Sequence, residues 1–199
     1  MSGAFPISSA NFQTMGIRSI QNTIISKSQS GKKLSRQIDG QRFGFTAKII
    51  TGKRSDIYGE LMAFIMKQRS QKENFTIIPP EVEDARGTAS GIPHGTASAG
   101  ATSITLGGTG TGTLLSGDYI KFANHDKVYM VVADQSDIST GSLTIEPPLT
   151  TAVSSSNITF DNVPFTVHLT NDVQEFGTVG ADNNGNLLYQ YEIDVEEAL

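Results

Sequence analysis

Residues Leu187 to Val195 constrain the fold of this chain more than any other stretch. The odd positions read Leu187, Tyr189, Tyr191, Ile193 and Val195, while from Gln190 the even ones read Gln190, Glu192, Asp194 and Glu196. Strict alternation of aromatic and aliphatic residues with an amide and carboxylates is the pattern of a half-buried β-strand. A lone strand has no stability of its own, so it must join a sheet whose other members lie earlier in the chain. The fold therefore closes only when the last residues are in place.

Composition narrows the class. A chain of 199 residues can bury one large core or two small ones. Hydrophobic content of 37% with 18% charged residues fits a globular chain, and 20 glycines point to turns and hence to β architecture. The absence of cysteine excludes disulfides, thiol catalysis and Cys-ligated metals. There is no basic-then-apolar leader and no apolar run near the roughly 18 residues a bilayer requires, so a soluble protein made in the cytoplasm is expected. The net charge of −5 hides two unlike ends. Residues 1–80 hold twelve Lys/Arg against four Asp/Glu, net +8, which leaves three bases and sixteen acids, net −13, for the remainder. Such a chain offers a basic surface for nucleic acid, or head-to-tail association of a basic face with an acidic one, unless the halves interleave and cancel.

In chain order, residues 1–17 show no clear period and read as an arm. Ser19–Gln37 is polar and β-tolerant, Asp39-Gly40 signals a turn, and Phe43, Phe45, Ala47 and Ile49 alternate beyond it. Residues 19–50 are thus expected to form a hairpin. Its cations include Lys27, Lys32, Lys33, Arg36 and Arg42, and an unprotected strand edge of this kind suits pairing between subunits. Ser55 is the expected N-cap of a helix reaching about Arg69, with Ile57, Leu61, Phe64 and Ile65 on its buried stripe. Met62 and Met66 read as core or interface filler. Phe75–Ile78 is a short strand stopped by Pro79-Pro80.

Glu81–Gly100, acidic and then rich in Gly, Ala and Ser, reads as a linker. Strands are expected at Thr102–Leu106, Asp118–Phe122, Val128–Ala133 and Ser142–Glu146, with a turn at Asn124-His125-Asp126 and Ser154-Ser155-Ser156 closing the segment. Residues 85–157 are therefore an inserted small β-barrel or sandwich between 1–84 and 158–199. Phe165, Val167 and Leu169 resume the alternation, and a loop through Asn183-Asn184-Gly185 leads to the closing strand. The expected fold is mainly β with one flanking helix, of the α+β class.

No catalytic, cofactor-binding or metal-binding residue emerges. His94, His125 and His168 have no ligand spacing, and His125 and Asp126, as neighbours in a tight turn, point apart. Gly107–Gly112 lacks the Lys-Ser/Thr of a phosphate loop and reads as flexible linker. The Asn74 and Asn157 sequons carry no weight without a secretory signal. What remains is charge for subunit contacts: Lys27, Lys32, Lys33, Arg36 and Arg42 against Glu192, Asp194 and Glu196.

Several stretches together resemble tailed-bacteriophage tail structural proteins of the distal-tail or tail-tube-like kind. They are FPISSANFQTMGIRS, SQSGKKLSRQIDGQRFGFTA, YGELMAFIMKQRSQKENFTIIPP, LLSGDYIKFANHDKVYMVVAD with LTIEPPL, and NVPFTVHLTNDVQEF with LYQYEIDVEEAL. The similarity covers most of the chain and lies in overall phrasing. It implies a tail-tube-like β-sandwich or partial barrel flanked by a helix, in hexameric rings around a DNA channel, with the insertion on the outside. The function implied is that of a non-enzymatic virion structural protein, in a ring at the distal tail that joins the tail tube to the baseplate or tip. A tail tube, tube-initiator or tube-terminator subunit is the alternative within the class. A nucleic-acid-binding module using the basic half, or a host-carbohydrate-binding β module, is the alternative outside it. Implied partners are further copies of the chain, the tail tube and baseplate hub or tip proteins, with DNA only as passing genome, no membrane and no cofactor. The implied location is the virion tail after synthesis in the host cytoplasm.

Overall fold

In a computed structural model, which describes residues 3–38 and 40–199 with Ser9 by its backbone alone, the chain is mainly β with one α-helix and a closed barrel. Met1 and Ser2 of the expected arm, and Asp39 of the expected Asp39-Gly40 turn, lie outside the described residues. Two compact units share the chain. The sheet unit takes Asn11–Glu73 and His168–Leu199, and the barrel unit takes the residues up to Ala10 and Asn74–Val167.

The sheet unit starts with β1 (Phe12–Ile20), β2 (Thr23–Lys27), β3 (Lys33–Gln37) and β4 (Arg42–Ile49). β1 pairs antiparallel with β4, from Phe12 opposite Ile49 to Ile20 opposite Arg42. The stretch expected as an arm is thus largely a strand. No residue of β1 is fully buried, so it has no apolar period to announce it. The hairpin expected over 19–50 is two nested ones, because β2 and β3 pair only with each other.

After β5 (Gly52–Lys53), a π-helical turn over Arg54–Tyr58 leads into α1 (Gly59–Lys67). Lys53 precedes the turn with no side-chain cap, and Ser55, the expected N-cap, instead donates from its hydroxyl to Asp56 at 3.1 Å. Gly59 suits this junction, since a Cβ there would stand 2.7 Å from the Arg54 carbonyl oxygen. Tyr58, Leu61, Ile65 and Gln68 are buried, whereas Met66 is exposed rather than core. The Gln68 amide is satisfied locally, donating to the Phe64 carbonyl at 3.0 Å.

In the barrel unit, β6 (Phe75–Ile77) pairs with Phe165–Val167 of a later strand, and Phe5 donates its amide to the Thr76 carbonyl at 2.7 Å. The barrel strands are β7 (Pro93–Ala97), β8 (Ser103–Gly108), β9 (Tyr119–Phe122), β10 (Val128–Val131), β11 (Ser142–Glu146) and β12 (Val153–Thr159). They close in the order β10-β11-β8-β7-β12-β9. Ile104, Leu114, Ile120, Phe122, Tyr129, Val131, Leu143 and Ile145 fill the interior. The strands expected from alternation correspond to β8–β11. The presumed linker 81–100 and closing serines contain the other two, so the barrel spans nearly the whole expected insertion. Contacts group more with it than 85–157, because Phe5, Phe75, Val163 and Phe165 are buried in this unit too. β7 is cryptic because Gly95 faces inward, where a Cβ would stand 2.7 Å from Ile104 and 2.8 Å from Phe122.

The stretch Gly107–Gly112 is ordered rather than linker-like. Ser90 and Thr111 exchange backbone hydrogen bonds at 2.9 Å. Gly112 has φ +89°, and a Cβ there would collide with the Thr88 carbonyl oxygen at 2.1 Å, so glycine is required twice over.

The chain returns to the sheet unit through β13 (Phe165–Leu169), whose last two residues belong to it, then β14 (Gly177–Ala181), β15 (Leu187–Gln190) and β16 (Glu192–Glu197). β16 adds to β4, with Ile193 opposite Ala47 and Val195 opposite Phe45, as a closing strand must. The alternating run is nevertheless two strands, since β15 pairs with β14 and β5 instead. The break falls at Tyr191, which is buried, stacks on Phe176 with centroids 4.4 Å apart and donates its hydroxyl to Gln174.

Candidate assembly surface

The β2–β3 ribbon is the most conspicuous surface of the sheet unit. Register places Ile24 opposite Arg36, Ile25 opposite Ser35, Ser26 opposite Leu34 and Lys27 opposite Lys33. Strand alternation therefore puts Ile24, Leu34 and Arg36 on one face and Ile25, Lys27 and Lys33 on the other. Every residue of both strands is exposed, with Ile24 at 57%, Ile25 at 55% and Leu34 at 55%. A tight turn joins them, in which the Lys32 amide donates to the Ser28 hydroxyl at 3.2 Å. Lys27, Lys32, Lys33 and Arg36 form no ion pair among the described residues. Lys27 and Lys33 face each other directly, an arrangement that destabilises a strand pair unless an anion lies nearby.

The terminal carboxylates are placed quite differently. Asp194 Oδ1 accepts from Arg18 Nη1 at 2.6 Å and from Thr46 Oγ1 at 2.9 Å, while Asp194 Oδ2 accepts from Thr170 Oγ1 at 2.7 Å. Partial burial pushes the Asp194 carboxyl up, but the bonds from Arg18, Thr170 and Thr46 outweigh it and hold the group below its ordinary value. Glu196 lies 4.0 Å from Arg18 and 3.8 Å from Arg42. Gly44 makes room for this arrangement, because a Cβ there would stand 2.6 Å from Arg18 Nε. Of the residues expected at a subunit interface, Arg42, Asp194 and Glu196 are thus joined within one chain. Glu192 is exposed and sits opposite Lys48, and the four ribbon cations stand apart from all of these.

Arg18 was invisible to sequence reasoning. Its partners Thr46 and Asp194 are 28 and 176 residues away, and only strand register brings them together. A second lock was equally hidden. Asp182, at the β14–β15 turn, accepts from the Asn186 side chain, from Lys53 Nζ at 2.5 Å and from the Asn184 and Asn186 amides, which hold its carboxyl well below the usual range.

The histidines form no centre. His125 Nε2 lies 2.8 Å from the Tyr129 hydroxyl and Nδ1 2.9 Å from Asn124 Oδ1, and burial pushes its pKa down. Asp126 turns to Lys121 at 2.9 Å instead. Among the described residues no three His, Asp or Glu side chains group as metal ligands. No protein-family model matches the chain, and a search of curated proteins finds no match.

Proposed function

We propose that the chain is a non-enzymatic structural subunit of a phage tail that assembles with copies of itself into a ring at the distal tail, joining the tube to the baseplate or tip. The observation that carries self-assembly is the ribbon: ten strand residues, all exposed, with three large apolar side chains and unpaired cations. A two-stranded ribbon of this kind is marginal in water and gains stability by being covered. The place in a virion rests on the resemblance described above, which also makes a tube, tube-initiator or tube-terminator subunit the neighbouring reading.

Negative-stain microscopy with sedimentation velocity tests it. Closed rings of one symmetry are the expected result. A protein that stays monomeric and binds duplex DNA, with affinity falling steeply as salt rises, would overturn the proposal in favour of a nucleic-acid module.

A further inference from the structure

The sheet unit carries a surface complementary to its own ribbon. A cleft of about 390 Å³ opens between residues 171–179 and the β15–β16 junction, lined among others by Val173, Val179, Glu175, Glu192, Asp194 and Lys48. Val173 is 83% exposed and Val179 55%. Glu175 and Glu192 are exposed and form no ion pair among the described residues. The cleft therefore offers bare apolar side chains rimmed by unpaired carboxylates, and the ribbon offers bare apolar side chains rimmed by unpaired cations.

Position gives this complementarity a direction. The ribbon leaves the sheet at the Ile20–Arg42 end of the β1–β4 pair, whereas the cleft lies at the Lys48–Glu192 end of the β4–β16 pair. Six residues of β4 separate them, roughly 20 Å of strand. Two unlike surfaces at opposite ends of one sheet make a heterologous contact, which closes into a ring or propagates as a filament according to the rotation per step.

The geometry points to a head-to-tail joint in which the ribbon of one copy seats on the acidic cleft of the next. The face bearing Ile24, Leu34 and Arg36 lies against Val173 and Val179, and Arg36 and Lys32, which follows that face into the turn, meet Glu175 and Glu192. Duplex DNA is the poorer occupant of the ribbon, since a phosphate backbone rewards the cations but leaves Ile24 and Leu34 in water. The joint rests on the self-assembly proposed above, and specifies which surfaces carry it.

Charge reversal tests it in the full-length protein. Lys32→Glu with Arg36→Glu on the ribbon, and Glu175→Lys with Glu192→Lys on the cleft, should each weaken self-association at least about tenfold, the scale expected when like charges meet across an interface. Mixing the two variants should restore it, because each supplies the complement of the other. Wild-type protein that assembles while both variants assemble unchanged, or a mixture that fails to recover, would overturn the joint and leave assembly intact. Wild-type protein that never associates would overturn both. The chain contains no cysteine, so Leu34→Cys and Val173→Cys proteins give a second measurement independent of charge. Mixed and oxidised, they should yield the 34–173 disulfide heterodimer. Only 34–34 homodimers would mean a symmetric contact and would refute the arrangement.

Discussion

The barrel and the ribbon are both antiparallel β structures, yet they meet opposite demands. Each barrel strand pairs on both sides, so no edge is left, and the side chains turned inward are almost wholly removed from water. Each ribbon strand pairs on one side only and buries nothing. Strand pairing is common to both, so it cannot be what separates them. At about 25 cal/mol per Å² of apolar surface, burial stabilises the barrel, whereas the ribbon gains only cross-strand pairs of about 0.2–1 kcal/mol each. One of those, Lys27 opposite Lys33, is repulsive. The barrel residues serve the fold of their own chain. Those of the ribbon bury nothing within it and are open to the contacts proposed above.

Truncation of a core side chain should separate the two regions most strongly. Phe122 is fully buried, and Phe122→Ala should cost about 3–5 kcal/mol through lost transfer energy and the cavity left behind. Leu34→Ser, at an exposed site, should alter the stability of the dissociated protein by no more than about 0.5 kcal/mol while weakening assembly. Thermal unfolding at low concentration measures the first quantity and sedimentation the second. A Leu34→Ser protein as unstable as Phe122→Ala would mean that the ribbon is covered within its own chain.

The Asp194 network is an intermediate case, part-exposed but fully bonded. Its carboxyl is held below the ordinary value of 3.8, so the folded chain takes up that proton less readily than the unfolded one. The resulting stabilisation is complete above the ordinary value and is lost as pH falls through the lower, folded one. Asp194→Asn should therefore be less stable than wild type by about 1 kcal/mol near neutrality, after allowing for solvent screening at a part-exposed pair. The gap should narrow once the pH falls below that ordinary value and close as it passes the lower, folded one. Unfolding midpoints followed from pH 7 to pH 2.5 check this, and a gap independent of pH would show that the charge of Asp194 contributes nothing.

Legibility in the sequence followed the same division. β8, β9, β10 and β11 could be read because one face of each is apolar and inside, which is what alternation records. β7 could not, since its inward position is Gly95, and β12 is interrupted by Ser155 at φ +47° with a register shift between Val153 and Ser156. β1 was hidden because nothing in it is fully buried. The ribbon cations were countable from the sequence, but that Asp194 and Glu196 are engaged by Arg18 and Arg42 is a consequence of register. Val173, Glu175 and Val179 belong to the segment after β13 and have no period at all. Only the fold places them beside Glu192.

The smallest expected effect is the most discriminating. Lys27→Glu replaces the repulsive Lys27–Lys33 pair with an attractive one, so the ribbon itself should gain about 0.2–1 kcal/mol. Amide hydrogen exchange at Ser26 and Leu34, a hydrogen-bonded pair of the ribbon next to Lys27 and Lys33, should slow in the dissociated protein by up to about fivefold, since about 1 kcal/mol corresponds to that ratio. The same substitution lowers the ribbon's positive charge by two and should weaken its attraction to Glu175 and Glu192. Local stability and assembly then move in opposite directions from one change. Charge that served only the hairpin would show both improving together, so divergence of the two measurements is what would tie the ribbon's positive charge to the proposed assembly.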